Sequence, residues 1–243
     1  MLAPPEVNLD GARWDGVDID AQMSEWVAGN YTRALSRQPT MYEQDFVAAV
    51  QASTGPIIDL ASGPGGSYCT RIMSDGNTDR QLVMSDLSRP VMTAWRRHLR
   101  EKGWGDRCST LVFDARHLPF ADASVPVMTS VIGFSSVVDS AVQAIREAAR
   151  VLMDGGMIYA VDSQIEREGL MRLCAKTGWD EHEFDDRYAM TYGEMFSACG
   201  LSMVHHRQAF RLLLTPDDNA IGVAAHRHGI EVWRRGEMYW VRK

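Results

Sequence analysis

Five short apolar runs, separated by amphipathic stretches, organise the middle of this chain. They cover residues 56–60, 81–86, 110–114, 125–132 and 156–162. Most are apolar at successive positions, which predicts strands covered on both faces, as in a parallel sheet. The stretches between them carry helical signals. One helix starts near Ser88, with Pro90 in its first turn and Val91, Ala94, Trp95 and Leu99 on one face. Another starts at Asp139, with Val142, Ile145, Ala149 and Leu152 in phase, and stops before Asp154-Gly155-Gly156. Strands alternating with helices in this way predict a doubly wound α/β sheet.

Both ends of the chain differ from this middle. The first fifteen or so residues read as a loose arm. Met23, Trp26, Val27, Ala34 and Leu35 then recur at helical spacing. Thr40-Met41-Tyr42-Glu43 is a capping box that opens a second helix, with Tyr42, Phe46, Val47 and Val50 as its stripe. Thr191-Tyr192-Gly193-Glu194 is another capping box, and Gly200 suits the helix stop. Residues 201–214 read as a strand, Thr215-Pro216-Asp217-Asp218 opens a short helix ending near Gly229, and residues 237–243 form a closing antiparallel strand.

Composition narrows the partners. The net charge of −7 argues against a broad grip on nucleic acid, which needs clustered cations. The basic stretch Trp95-Arg96-Arg97-His98-Leu99-Arg100 reads more simply as a solvated helix face than as a nucleic-acid patch. No apolar run reaches the ~18 residues of a membrane span. No secretory signal is evident at the start, so a cytoplasmic location is expected. Cys69, Cys108, Cys174 and Cys199 are scattered and form no Cys-x-x-Cys pair, which predicts reduced thiols, not a disulfide framework or zinc cage.

The chemistry concentrates in Ile57-Ile58-Asp59-Leu60-Ala61-Ser62-Gly63-Pro64-Gly65-Gly66-Ser67, where a strand runs through a glycine-rich turn into a helix. In open α/β sheets such a turn lies at the carboxyl edge, where ligands bind. A dinucleotide fingerprint needs a third glycine, and that place is Tyr68. Asp59 is awkward beside a pyrophosphate but suits an ammonium group. Asp86, about twenty residues beyond Gly65, is placed to accept from ribose hydroxyls. Asp114, followed by Ala115, ends the third run, where a side-chain acceptor and a backbone N–H can read an adenine edge. The three carboxylates match an adenosine with a cationic amino-acid tail and no phosphate.

At these residues the chain resembles the class I S-adenosylmethionine-dependent methyltransferases. Residues 59–66 look like the family's first motif, Asp86 and Asp114-Ala115 like its later cofactor motifs, and Leu118-Pro119-Phe120-Ala121-Asp122 like the segment after the adenine contact. Residues 146–156 are similar to the helix and Gly-Gly turn before the fifth strand. The resemblance implies a mostly parallel, Rossmann-like methyltransferase sheet over residues 55–243, an N-terminal arm and helical cap over 1–54, and a substrate-covering insertion near 163–190. It implies S-adenosylmethionine as cofactor, held by Asp59, Ala61, Gly63, Pro64, Gly65, Asp86, Leu87, Asp114, Ala115 and Ile132. Ala61-Ser62 replaces a frequent Gly-Cys, and small residues are kept.

The implied reaction moves a methyl group to O or N, and in some members C, of a small molecule or small peptide. The Asn/Asp-Pro-Pro-Tyr/Phe motif of nucleobase and glutamine methylation is absent, and with the net charge this disfavours RNA or protein acceptors. Gly133-Phe134 and Asp162-Ser163 lack the acids of a metal-assisted mechanism, so no metal is expected. Candidate acceptor contacts are Tyr31, Tyr42, Phe134 and Ser135. Tyr31 either caps the methionine end of the cofactor or belongs to the core, and His182 is the best-placed candidate base. The acidic run from Asp180 to Asp186 reads either as a lid for a cationic acceptor or as a solvated turn. His117 reads as an exposed loop residue, and His205-His206 face opposite sides of a strand and do not form a metal pair. Aspartate 59 replaced by alanine should weaken cofactor binding and spare the fold. A cofactor-binding protein that does not methylate, such as a cyclase or decarboxylase on the same scaffold, is the alternative; a nicotinamide oxidoreductase is the further competitor.

Overall fold

The structure, a computed structural model, describes residues 40–63, 67–74, 80–137, 140–180 and 190–243, together with a pair of two-residue strands, Arg13–Trp14 and Val17–Asp18. The rest lies outside the described residues, including the helix expected around Met23 and Leu35.

Seven strands form one sheet. They are β1 (Ile57–Asp59), β2 (Leu82–Asp86), β3 (Cys108–Val112), β4 (Val125–Val131), β5 (Leu152–Ile165), β6 (Ser202–Leu213) and β7 (Trp233–Arg242). Their spatial order is β3-β2-β1-β4-β5-β7-β6. The first five are parallel, and β7 runs antiparallel between β5 and β6. Strand order reverses at β1, which pairs with β2 on one side and β4 on the other, so the topological switch point lies there.

The helices are α1 (Met41–Ala52), α2 (Ser67–Ser74), α3 (Arg89–Glu101), the four-residue α4 (Gly133–Ser136), α5 (Ala141–Val151), α6 (Arg167–Thr177), α7 (Tyr192–Ala198) and α8 (Ala220–His228). Both capping boxes form, at Thr40/Glu43 and Thr191/Glu194. Ser88 caps α3, and Val91, Ala94, Trp95 and Leu99 are buried while its arginines face outward. One core layer joins α1, α2 and α3 to the sheet through Phe46, Val50, Tyr68, Trp95 and Val161. The opposite layer joins α5 and α7 through Ile145, Ala148, Phe196 and Tyr239. Two opposed layers are what apolar strand runs demand, since each face must be removed from water.

Several boundaries differ from the sequence pattern, the closing strand starting at Trp233 among them. β3 starts at Cys108 and ends at Val112, so Asp114 lies in the following turn and not on the strand. β5 begins straight after α5, at Leu152, and the Gly155-Gly156 turn becomes an irregularity in it between the pairs Val125–Leu152 and Val127–Met157. The region 163–190, expected as an insertion, begins as the continuation of β5 to Ile165 and then forms α6. Leu170, Leu173 and Cys174 of α6 pack with Ala224 and Ala225 of α8 and with Val232 as a satellite core. The last helix starts at Ala220, capped by Asn219, because Thr215 and Asp218 bond to each other in a separate turn.

Candidate nucleotide crevice at the carboxyl edge

The glycine loop leaves β1 through a buried polar knot. Asp59 is fully buried, and three hydroxyls donate to it: Thr129 from the neighbouring β4 (2.6 Å), Tyr68 from α2 (2.8 Å), and Ser62 from the loop itself. Ser85 of β2 donates its hydroxyl to the Asp59 carbonyl, and its N–H donates to the Ser62 hydroxyl. Burial pushes the Asp59 carboxyl up to about 6, against the pull of the hydroxyls. Tyr68, which stands where a dinucleotide loop has its third glycine, is therefore the residue that ties α2 to the strand. Its ring also meets Phe46 of α1 edge-on.

The backbone around this knot is held in unusual conformations. Among the described residues, three non-glycine residues have positive φ, and two of them, Ala61 (φ 50°) and Ile132 (φ 60°), follow the adjacent strands β1 and β4. An isoleucine there is strained, because a branched Cβ crowds the carbonyl. Such strain persists only where surrounding structure enforces it and clusters at ligand sites. Gly133, next in the chain, has no room for a side chain: a Cβ would meet Ser130 Oγ at 2.2 Å and the Leu60 carbonyl at 2.8 Å.

Asp86, at the end of β2, accepts from the N–H groups of Gly63 and Ser88, each at 2.9 Å. The indole N–H of Trp95 holds the Gly63 carbonyl at 2.8 Å. The first turn of the loop is thus pinned from β2 and α3, with the Asp86 carboxylate half-buried at the edge. Asp114 is engaged by Arg116, whose Nη2 lies 2.6 Å from Oδ2 and whose N–H bonds Oδ1. Burial raises the Asp114 carboxyl, but the Arg116 bonds outweigh it and hold it below the ordinary value. Residues 118–122 are stapled to α5: Arg150 donates to the carbonyls of Leu118 and Phe120 and pairs with Asp122 and Glu147, while Glu147 accepts from the Leu118 N–H.

Ala61, Gly63, Asp86, Leu87, Asp114, Ala115 and Ile132 all come out half-buried at the same edge of the sheet. Two carboxylates and several apolar residues stand at this edge, and Arg116 is committed to Asp114. That donor set fits a nucleoside with hydroxyls and a positive charge. Pro64 and Gly65 lie outside the described residues, as do Tyr31, Trp26, His182 and residues 181–186.

The expected acceptor contacts are placed differently. Phe134 is a core residue, 1% exposed and edge-to-face with Phe196 at 5.7 Å, so no part of its ring is open at the sheet edge. The reason is that α4 follows the strained turn directly and points its first side chains under the sheet edge. Tyr42 packs beside Phe210 of β6, on the α1 face. Ser135 stays half-buried at the edge, its N–H on Asp162 Oδ1 at 2.9 Å. His117 is exposed, and His205 and His206 stack on Trp240 and Tyr239, on opposite faces of β7. Four residues that sequence reasoning gave no role hold this site: Tyr68, Thr129, Arg116 and Asp162. Only Arg116 had a local signal, two residues after a carboxylate.

Comparison with known proteins places the chain among methyltransferase-like sequences and folds. Residues 58–160 match the family described as "Methyltransferase domain". The ubiquinone/menaquinone biosynthesis C-methyltransferase of Shewanella frigidimarina is 32% identical over 117 residues, covering 48% of this chain and 45% of the relative. The chain thus spans under half the length of that relative. Among solved structures, the [4+2]-cyclase SpnF superposes with a TM-score of 0.64 at 14% identity, over 93% of this chain and 95% of that one. Geranyl diphosphate methyltransferase, solved with GPP and sinefungin, gives 0.59 at 15% identity, over 88% and 83%. At such identities these two show the shared fold.

Proposed function

We propose, from the premise that residues 58–160 are a class I S-adenosylmethionine-dependent methyltransferase domain, that this chain methylates a small molecule, with carbon the leading acceptor atom. The observation that carries the reading is the pair of half-buried carboxylates, Asp86 and Asp114, beside the glycine loop, with Asp86 holding the Gly63 N–H and Asp114 held by Arg116. When bound, the cofactor supplies an electrophilic methyl group on a positively charged sulfur. Asp86 would take ribose hydroxyls, Asp114 and Ala115 would face the base, and Ala61, Gly63, Leu87 and Ile132 would line the rest. Asp59 would act one step removed, by holding the loop. Carbon moves ahead of oxygen and nitrogen because the curated relatives are C-methyltransferases, and nothing in them points to a peptide acceptor. Among the described residues no helix is long and apolar enough to cross a membrane.

The first test is calorimetry with S-adenosylhomocysteine and NAD. Saturable binding of the first and none of the second is expected; binding of NAD alone would remove the reading. The likeness to a [4+2]-cyclase favours a second reading, use of the scaffold without methyl transfer. Radiolabelled S-adenosylmethionine offered with small hydroxylated and prenylated aromatic acceptors separates the two: label leaves the cofactor only under the first.

A further inference from the structure

One buried carboxylate, at the carboxyl edge just past the last pair of β4 and β5, holds no cofactor contact named so far. Asp162 lies on β5, one residue beyond Val161, whose partner Val131 ends β4. It is 1% exposed. Its Oδ1 accepts from the Ser135 N–H at 2.9 Å and so anchors α4, just after the strained Ile132. Its Oδ2 is buried with no hydrogen-bond partner, and the hydroxyl of Ser130, on β4 and also buried, has none either. By strand pairing these two residues share one sheet face, since Ser130 pairs with Ala160 and Asp162 stands two residues on. Orphaned buried polar atoms are costly, and a native fold keeps them where a site needs them.

We propose that Asp162 makes the crevice selective for charge: its carboxylate favours a nucleoside with cationic sulfur over the neutral thioether left after methyl transfer. This rests on the nucleoside reading of the crevice. The consequence is directional, because the residue would hold the substrate form and release the product form.

Burial pushes the Asp162 carboxyl up to about 8, with the Ser135 donors pulling it back. The preference should therefore grow as pH rises and the carboxylate forms. The titratable groups packed around it are few. Glu237 is its cross-strand partner on β7, with Arg235 at 3.1 Å and His206 at 3.3 Å from that glutamate. Tyr239, also on β7, donates its hydroxyl to Glu237, and burial holds that phenol far above its usual value. Asp59 lies two strands away, its carboxyl raised by burial to about 6.

The test is calorimetry of S-adenosylmethionine and S-adenosylhomocysteine from pH 7 to 9, in the wild type and in Asp162→Asn. Asparagine keeps the acceptor for Ser135 and cannot ionise. The ratio of the two affinities should shift toward the cationic ligand by about tenfold in the wild type, relative to the variant, which corresponds to one pKa unit of coupling. The variant also removes any slope that belongs to the ligands themselves. Equal slopes in both proteins, or a flat wild-type ratio should the variant not fold, would overturn the inference and leave the nucleoside reading standing. Failure of the wild type to bind either ligand would remove both.

Discussion

Asp59 illustrates how a single side chain changes meaning once its neighbours are known. In the sequence it is the acid of a cofactor motif; in the fold it is the acceptor for three hydroxyls from three elements. Alanine there would orphan all three, so Asp59→Ala is expected to cost about 1–3 kcal/mol of stability as well as cofactor affinity. Urea unfolding monitored by circular dichroism measures the loss, and Asp59→Asn should recover part of it. Gly133→Ala forces a methyl group into Ser130 and the Leu60 carbonyl and should destabilise by about 1–3 kcal/mol in the same assay. Asp162 adds a pH dependence of defined sign. Its folded value of about 8 exceeds the ordinary 3.8, so its contribution is fully present below about pH 4 and is lost as pH rises through 8. The melting temperature of Asp162→Asn should therefore gain on that of the wild type between pH 5 and 9, and a constant gap would count against the burial argument.

At the scale of elements, local signals and packing carried different loads. Both capping boxes were legible because each is written within four residues, Thr40 to Glu43 and Thr191 to Glu194. Thr191→Ala should cost about 1 kcal/mol, measured by thermal unfolding. The stripe of α3 was legible too, since a helix repeats its buried face every three to four residues. The end of β3 was not. Thr110 to Asp114 reads as one apolar run, but the ladder with β2 closes at Val112, opposite Asp86. The helix α6 was missed because its buried residues, Leu170, Leu173 and Cys174, face α8 and Val232, some fifty residues later in the chain.

Over the whole molecule, the crevice is assembled from the ends of four strands and stapled from behind. Arg150 is the clearest staple, joining α5 to residues 118–122 by bonds to two carbonyls and the Asp122 carboxylate, with Glu147 of the same helix holding its guanidinium. Arg150→Ala should loosen the segment after Asp114, lowering affinity for S-adenosylhomocysteine roughly tenfold at a stability cost of about 1–3 kcal/mol. Calorimetry and urea unfolding report the two effects separately, and an unchanged affinity would show that the segment orders itself without α5.

The sequence by itself determined the covered sheet, the loop after β1, and the three acids spaced along successive strand ends. Each depends on chain-local physics: apolar runs that need two covers, glycines that admit positive φ, and carboxylates set at the carboxyl ends of consecutive strands. Only the tertiary structure decided which polar groups meet. Thr129 reaches Asp59 because β4 lies beside β1, although seventy residues separate them. Phe134 turns into the core because α4 tucks under the edge, and Asp162 is buried because β5 runs past β4. Hydrogen bonds and desolvation act over a few ångströms of space, and distance along the chain does not encode that separation.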